Sequence, residues 1–201
     1  MSKDWSDDDF VGGCLSLDFA NTVDDRVDQS RDQDLLHNYA DLVSWSRATG
    51  AVTDDIADRL SELPSKYPEK VTSAFRRAIS LREAIYRTFD AVSEARTPDE
   101  KDIESIFSAF AAAGRRLSVV PGGDGIEAHW KLDPEDASGP LAPIAYSACK
   151  LLLCGDVKRL KQCHGCGWLF LDRSKGGRRR WCDMKTCGNR AKVTRFRQKA
   201  H

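Results

Sequence analysis

The sequence predicts an α+β fold that is mainly helical, with a helical N-terminal domain, a small β-hairpin and a C-terminal treble-clef-like module built on four cysteines. Three observations support this prediction. Apolar residues recur at helical spacing through most of residues 35–153, two short β-type runs flank a glycine-rich turn, and two close cysteine pairs lie near the C-terminus. We expect the first domain to span residues 1–155 and the second residues 156–201.

The N-terminal segment begins with a polar, acidic stretch, which predicts a loose lead and not a signal peptide. Residues 14–20 are apolar enough for a short strand or a buried first turn. The polar residues that end this element are candidates for lining a ligand pocket, namely Asp18, Asn21 and Thr22. In the alternative interpretation, Asn21 and Thr22 cap the next turn and Asp18 accepts backbone hydrogen bonds.

A charged, exposed loop is predicted for residues 24–34, and four amphipathic helices follow it. Their stops and starts are marked by Gly50, Pro64, Pro68 and the Thr97-Pro98-Asp99-Glu100 sequence. The predicted helices span residues 35–49, 53–63, about 69–95 and 97–114.

A β-hairpin is predicted next, from residues 117–120 and 126–132 around the Pro121–Gly125 turn. A fifth helix is predicted over residues 141–153, and it should be buried because it is apolar on most faces. The chain then leads through residues 156–161 into the first cysteine pair.

Four thiols with metal-ligand spacing dominate the C-terminal module. Two residues separate Cys163 from Cys166, four separate Cys182 from Cys187, and fifteen lie between the pairs. Two such pairs can direct four sulfurs at one point, which is the tetrahedral set that structural Zn²⁺ prefers. The fold class is therefore completed by a four-cysteine zinc finger, and Zn²⁺ is the predicted cofactor. The alternative is four buried thiols or two disulfides.

Within the finger, residues 168–171 are expected to form a strand that pairs with residues 179–181, followed by a helix that starts near Asp183 or Asn189. Along that helix, Asn189, Val193, Phe196 and Ala200 have helical spacing and would pack inward. The three remaining cysteines, Cys14, Cys149 and Cys154, are expected to be buried free thiols.

The net charge of zero conceals a strong separation of charge along the chain. Residues 157–201 contain fourteen Lys and Arg against two Asp, a net +12, so the other 156 residues carry −12. A segment this basic on a metal scaffold predicts binding to DNA through phosphate contacts. The candidate nucleic-acid-binding residues are Arg173, Lys175, Arg178, Arg179, Lys185, Arg190, Lys192, Arg195, Arg197 and Lys199. A solvated tail, or docking between the acidic body and the basic finger, would use the same charges, and Asn189 and Arg190 could serve the fold instead.

The string Cys187-Gly188-Asn189-Arg190, preceded by Arg180-Trp181-Cys182, resembles the bacterial CGNR zinc-finger family. Residues 15–23 are similar to the opening of the ABATE domain, which precedes this finger in that family. The resemblance implies a transcription regulator linked to stress, whose finger binds DNA and whose N-terminal domain senses a small ligand or forms a homodimer.

Other functions fit the sequence less well than a regulator does. A zinc enzyme needs an open coordination position, which four cysteines close, and the sequence shows no nucleophile–base or paired-carboxylate motif. A protein-interaction or RNA-binding module stays an alternative. No run of about 18 apolar residues predicts a membrane span, and free thiols favour a cytoplasmic location.

Overall fold

The protein is described by a computed structural model that covers residues 3–28, 30, 33–123 and 125–199. Within these ranges the chain forms eight α-helices and two antiparallel two-stranded sheets, so the prediction of a mainly helical α+β fold is confirmed. The helices are α1 (Leu15–Ala20), α2 (Tyr39–Ala48), α3 (Asp54–Ser61), α4 (Leu63–Lys66), α5 (Pro68–Ser93), α6 (Glu100–Ala113), α7 (Leu141–Leu153) and α8 (Asn189–Lys199). The sheets pair β1 (Leu117–Gly122) with β2 (Gly125–Trp130), and β3 (Leu160–Gln162) with β4 (Leu169–Leu171).

The core of the body forms around α5, the longest helix, which contacts α1, α2, α6 and α7. Its apolar stripe buries Ile85 and Phe89 completely, as the helical spacing predicts. Phe19 of α1 and Trp45 of α2 are also fully buried, and their rings lie 5.1 Å apart in a tilted arrangement. Tilted aromatic pairs of this kind stabilise a core beyond the area that they bury.

The first element is a short helix, although its sequence predicts a strand or a turn. Six residues are too few for an isolated helix to be stable in water. Tertiary packing stabilises α1 instead, because Leu17, Phe19 and Ala20 are fully buried. The amide of Ser16 also donates to Ser147 Oγ on α7 over 3.0 Å.

Some helix boundaries differ from the predictions, because another residue caps the helix or because a proline lies inside its first turn. Asn38 caps α2 by accepting from the Asp41 amide, so this helix begins four residues later than expected. Asp99, and not Thr97, caps α6 through the Lys101 amide. Pro64 lies in the first turn of α4, where its missing N–H is tolerated.

The described residues of the charged segment 24–34 form a largely exposed loop, as the composition predicts, but three of its charged side chains are anchored to the body. Asp25 is buried, and the guanidinium of Arg82 makes two 2.7 Å hydrogen bonds to Asp34. Arg26 pairs with Glu83 at 2.8 Å and lies over the Tyr86 ring. Composition alone misses this arrangement because the opposite charges lie 48 and 57 residues away on α5.

The cysteine-bearing end of the chain packs directly on the body. Trp168 donates from Nε1 to the Val23 carbonyl over 2.7 Å, and the Arg26 amide donates to the Cys166 carbonyl over 2.9 Å. Tyr86 donates to the Gly167 carbonyl over 3.1 Å. Gly167 has a φ of +76°, and an added Cβ would lie 3.1 Å from Arg26, so this close approach requires glycine. Among the described helices, none combines the length and apolar character needed to cross a bilayer.

Candidate metal centre and basic surface

The first cysteine pair lies in the turn between β3 and β4. Cys163 follows β3 directly, its amide donates to the Trp168 carbonyl over 2.8 Å, and its carbonyl accepts from the Gly167 amide over 3.0 Å. The predicted pairing of residues 168–171 with residues 179–181 is therefore wrong, because β4 pairs with residues 160–162. Arg180 still contacts the turn, since its carbonyl accepts from the His164 amide over 3.1 Å.

The second pair is placed by a π-helical turn, Met184–Gly188, immediately before α8. Asp183 caps this turn by accepting from the Lys185 and Thr186 amides over 2.7 and 3.0 Å. Cys187 lies within the turn, close to the start of α8. The cap therefore fixes the turn that carries Cys187, and Cys182 directly precedes the capping residue.

The four cysteines form one buried cluster. All four Sγ atoms lie within 4.8 Å of one another, and each residue is at most 3% exposed. The Sγ atoms of Cys166 and Cys182 are 3.7 Å apart. A tetrahedron with Zn–S bonds of about 2.3 Å has edges of about 3.8 Å, so the cluster fits structural zinc. The predicted Zn²⁺ cofactor agrees with this geometry, and a disulfide, with S–S near about 2.05 Å, does not.

The same crowding favours negative charge on one sulfur at the expense of others, since the pKa of Cys163 is lowered while the pKa values of Cys166 and Cys182 are raised by the neighbouring thiols. Hydrogen bonds from Cys166, Cys182 and Cys187 hold the pKa of the Cys163 thiol far below its usual range. The Gly165 amide also points at Cys163 Sγ from 3.4 Å. A thiolate cluster of this kind binds a soft divalent cation with release of its remaining protons.

Four protein sulfurs complete the coordination shell, so the site is structural in type. His164 is exposed and lies edge-on to the Trp181 ring, 5.9 Å between centroids, with Arg180 Nη2 3.4 Å from its Nδ1. It is therefore held by surface neighbours and not by the sulfur cluster. Closed four-cysteine sites support folding, whereas catalytic zinc sites keep an open position.

Several cations around this centre hold the fold together. The Lys161 ammonium contacts Asp172 Oδ2 at 2.8 Å, and Arg179 donates to the Cys182 carbonyl while lying over the Phe170 ring. Arg190 donates to Cys187 Sγ from 3.6 Å. These contacts tie cationic side chains to the cysteine scaffold.

Arg190 also reaches the body. Its Nη1 lies 3.5 Å from Oδ2 of Asp25, whose side chain is only 3% exposed. The carboxylate of Asp25 in turn accepts from the Val27 and Asp28 amides over 3.0 Å. The Arg190 guanidinium therefore bridges Cys187 of the sulfur cluster and the body.

The remaining predicted nucleic-acid-binding residues of the described chain are exposed. They run from the loop after β4, through the π-helical turn, and along α8. They are Arg173, Lys175, Arg178, Lys185, Lys192, Arg195 and Arg197. The side chain of Lys199 and all of Ala200 lie outside the described residues. We call these seven cations the basic surface.

Two apolar side chains on α8 contradict the prediction that this stripe packs inward. Phe196 is 77% exposed and Val193 is 43% exposed. The helix contacts mainly the π-helical turn before it and extends past the body. Helical spacing of apolar residues does not by itself provide a surface that buries them. An exposed phenylalanine among arginines is therefore a feature of the basic surface.

The three residues predicted to line a ligand pocket make internal hydrogen bonds. Asn21 is buried and bonds to both the carbonyl and the amide of Leu169 over 2.9 Å. Thr22 donates to the Phe19 carbonyl over 2.8 Å. Asp18 accepts from the Gly12 amide over 2.7 Å, and burial raises its pKa to about 7. The Asp18 contact matches the alternative interpretation, whereas the side chains of Asn21 and Thr22 bond to Leu169 and Phe19 and do not cap the next turn.

Sequence reasoning missed the acidic residues that anchor the basic surface. Asp172 is buried at the end of β4 and accepts from the Arg179 amide over 2.9 Å and from the Ser174 amide over 3.0 Å. Lys161 and these other donors lower the pKa of Asp172 well below its ordinary value. One feature of the sequence pointed to these residues. Asp172 and Asp183 are the two acidic residues in residues 157–201, which contain fourteen Lys and Arg.

Comparison with known protein families agrees with this architecture. Residues 13–155 match the family model ABATE, described as "Putative stress-induced transcription regulator". Residues 159–200 match the CGNR zinc finger model. The search of curated proteins found no match.

Proposed function

Because the chain belongs to the ABATE family and ends in a CGNR zinc finger, we propose that it is a transcription regulator that binds DNA through the basic surface. The observation that carries this proposal is the clustering of exposed cations on a scaffold that a metal makes rigid. Phosphate neutralisation by such residues supplies most of the affinity of DNA-binding proteins. Neither matched family is described as an enzyme family, which supports a regulatory role.

The helix α8 is the element that we expect to enter DNA. Its eleven residues present Lys192, Arg195 and Arg197 to solvent. The major groove accepts an α-helix, and arginine there can bond to guanine through two hydrogen bonds. Phe196 on the same helix is suited to contact thymine methyl groups. The cations of the loop after β4 would then contact phosphates.

The charge of the two parts of the chain sets the orientation of this complex. Residues 1–156 carry a net charge of −12 and residues 157–201 a net charge of +12. An acidic body is repelled by DNA, so contact is confined to the basic end. We propose that the body, residues 1–155, senses a ligand or mediates homodimer formation, while residues 156–201 bind DNA in the cytoplasm.

The experiment is fluorescence anisotropy with labelled genomic duplexes and the zinc-loaded chain at several KCl concentrations. Binding should weaken steeply with salt, and Arg195→Ala with Arg197→Ala should lower the affinity about tenfold or more and flatten the salt dependence. The matched control removes two exposed cations from the body, Arg76→Ala with Arg115→Ala, and should bind like the parent chain.

Three results would count against the proposal. They are absence of binding at low salt, equal losses in the test and control variants, and preferential binding to single-stranded or duplex RNA. A partner protein that is captured equally after nuclease treatment, and that requires the same two arginines, would favour an interaction module instead.

A further inference from the structure

The hairpin formed by β1 and β2 packs mainly on itself. Its base is held to the body by the ring of Trp130, whose centroid lies 5.7 Å from that of Tyr146 on α7, and by Arg116, which pairs with Asp136. Among the described residues, its sheet has no third strand. An isolated two-stranded sheet is only marginally stable in water, so pairing with a further strand would stabilise it.

The pairing of the two strands determines which backbone groups of β2 point away from β1. At the base of the hairpin, the Lys131 amide donates to the Arg116 carbonyl over 2.7 Å, and this pair continues the strand register. Bonded and non-bonded pairs alternate along antiparallel strands. The N–H and C=O groups of Ile126, Ala128 and Trp130 therefore point outward and give β2 an outer row of donors and acceptors.

The two outer edges of the hairpin differ in one residue type. By the same alternation, the outward-facing residues of β1 are Leu117, Val119 and Pro121. Pro121 has no N–H to donate, and proline on an edge strand protects that edge against pairing with another chain. β2 contains no proline. The edge of β2 is therefore the one that can accept a further strand along its whole length.

The charges on β2 are complementary to those of a second, antiparallel β2. Glu127 and His129 lie on one face of the strand, with side chains 56% and 59% exposed and with Oε2 and Nε2 3.1 Å apart. When two copies of β2 pair about a two-fold axis at Ala128, each Glu127 lies directly opposite His129 of the other copy. Opposite charges across strands stabilise the pair, and like charges weaken it. A register shifted by two residues would instead place Glu127 opposite Glu127, or His129 opposite His129.

We propose that β2 pairs with β2 of a second copy of this chain in the register centred on Ala128, so that two hairpins form one four-stranded antiparallel sheet. The interface is isologous, as expected for a two-fold homodimer. The assignment rests on the proposed function in one respect, since it identifies the part of the body that mediates homodimer formation. Two-fold dimers of regulators bind two half-sites on DNA.

The first test is analytical ultracentrifugation of the zinc-loaded full chain without DNA. One strand from each copy forms a small interface, and interfaces below about 1,200 Å² belong to weak complexes, so we expect a monomer–dimer equilibrium between about 1 and 500 µM chain. Hydrogen exchange at the two ends of this range reports the strand. The amide of Ala128, which is bonded only in the dimer, should exchange more slowly at the high concentration.

A matched pair of proline variants identifies the edge. Val119 and Ala128 lie opposite each other in the hairpin, and the N–H of each points outward. Ala128→Pro removes the donor at the two-fold axis and should abolish the dimer, whereas Val119→Pro, on the other edge, should associate like the parent. Zinc content and unfolding temperature establish that both variants are folded.

Two charge variants identify the register. Glu127→Lys removes the attraction to His129 of the other copy, and His129→Glu places like charges opposite each other, so each variant alone should dimerise about tenfold more weakly than the parent. An equimolar mixture of the two should associate about as tightly as the parent, because opposite charges face each other again in the mixed dimer. Charge repulsion within one chain cannot produce this recovery. Lys101→Glu, at an exposed position on α6, is the control and should dimerise like the parent.

Each failure has a distinct meaning. A parent chain that stays monomeric at the highest concentration overturns the dimer. Unchanged association in Ala128→Pro, or an equal loss in Val119→Pro, overturns the choice of edge, and a mixture of charge variants that associates no better than either alone overturns the register. Absence of DNA binding by the parent chain would overturn the proposed function and leave this interface intact, because association is measured without DNA.

Discussion

The side chain of Asn21 pairs with the backbone of Leu169 through two 2.9 Å hydrogen bonds, with Nδ2 donating to the carbonyl and Oδ1 accepting from the amide. Both residues are buried. On the same strand, the Leu171 amide donates to the Gly12 carbonyl. The edge of β4 that faces away from β3 is therefore covered by the end of α1 and the segment before it. This edge joins the body to the finger.

Asn21→Ala should destabilise the protein by about 2–5 kcal/mol, because it leaves the amide and the carbonyl of Leu169 buried without partners. Urea unfolding at fixed zinc concentration measures this change. Asn189→Ala, at an exposed position, is the control and should lie within about 0.5 kcal/mol of the parent. Equal stability of the two variants would contradict the docking role of Asn21.

Replacing one zinc ligand should unfold the finger while the body keeps much of its structure. We expect Cys182→Ser to lose bound zinc, since a structural site contributes about 10–16 kcal/mol of apparent binding free energy to folding. Zinc analysis and hydrogen exchange measure this, with fast exchange expected over residues 160–188 and slower exchange in α5 and α7. Cys154→Ser, at an exposed cysteine outside the cluster, should retain one zinc per chain. Retained zinc in Cys182→Ser would contradict the four-sulfur site.

Asp18 should make stability fall as pH rises. Burial raises its pKa from 3.8 to about 7, so the stability that it contributes is present below pH 3.8 and is lost as pH rises through 7. In Asp18→Asn, the side-chain oxygen can still accept from the Gly12 amide, and no charge develops. The parent should therefore lose about 2 kcal/mol relative to this variant between pH 5 and pH 8.5.

Paired urea unfolding at the two pH values measures this difference, and comparing the variant with the parent cancels the pH dependence of the zinc thiols. A constant difference in stability across this range would show that Asp18 keeps an ordinary pKa.

The parts that the sequence predicts well are those set by local signals. The helix at residues 141–153 has the predicted bounds, and the two cysteine pairs come together in one cluster. The helical spacing of apolar residues and the spacing of metal ligands are properties of residues close together in the sequence. Predictions based on them therefore do not depend on distant parts of the chain. The four-sulfur site that fits structural zinc and the order of helical body then finger follow from the same signals.

The parts that the sequence does not predict depend on distant residues. The strand β3 is three residues long and is recognisable only through its partner β4. Asp34 and Arg26 are held by Arg82 and Glu83 of α5, and Asn21 acquires its role from Leu169, 148 residues away. The spacing of apolar residues on α8 predicts a stripe along the helix, but spacing does not show whether another element covers that stripe. Phe196 is exposed.

Arg190 and Arg197 should differ in what their loss changes. Arg190 contacts Cys187 Sγ and Asp25, so Arg190→Ala should lower the unfolding free energy by about 0.5–1 kcal/mol and speed zinc release to a chelator. Arg197→Ala, on exposed α8, should leave both properties unchanged and weaken DNA binding. Urea unfolding and a colorimetric zinc-release assay measure the pair. Identical zinc release from both variants would show that Arg190 does not support the metal centre.

Phe196 should contribute to DNA affinity without contributing to stability. Because it is 77% exposed, Phe196→Ser should change the unfolding free energy by less than about 0.5 kcal/mol. Its loss removes an apolar contact and no charge, so DNA binding should weaken several-fold at every KCl concentration with an unchanged salt dependence. Arg195→Ala should instead reduce the slope of log K against log salt by about 0.9. Anisotropy at three KCl concentrations separates the two effects, and unchanged affinity in Phe196→Ser would remove this side chain from the DNA contact.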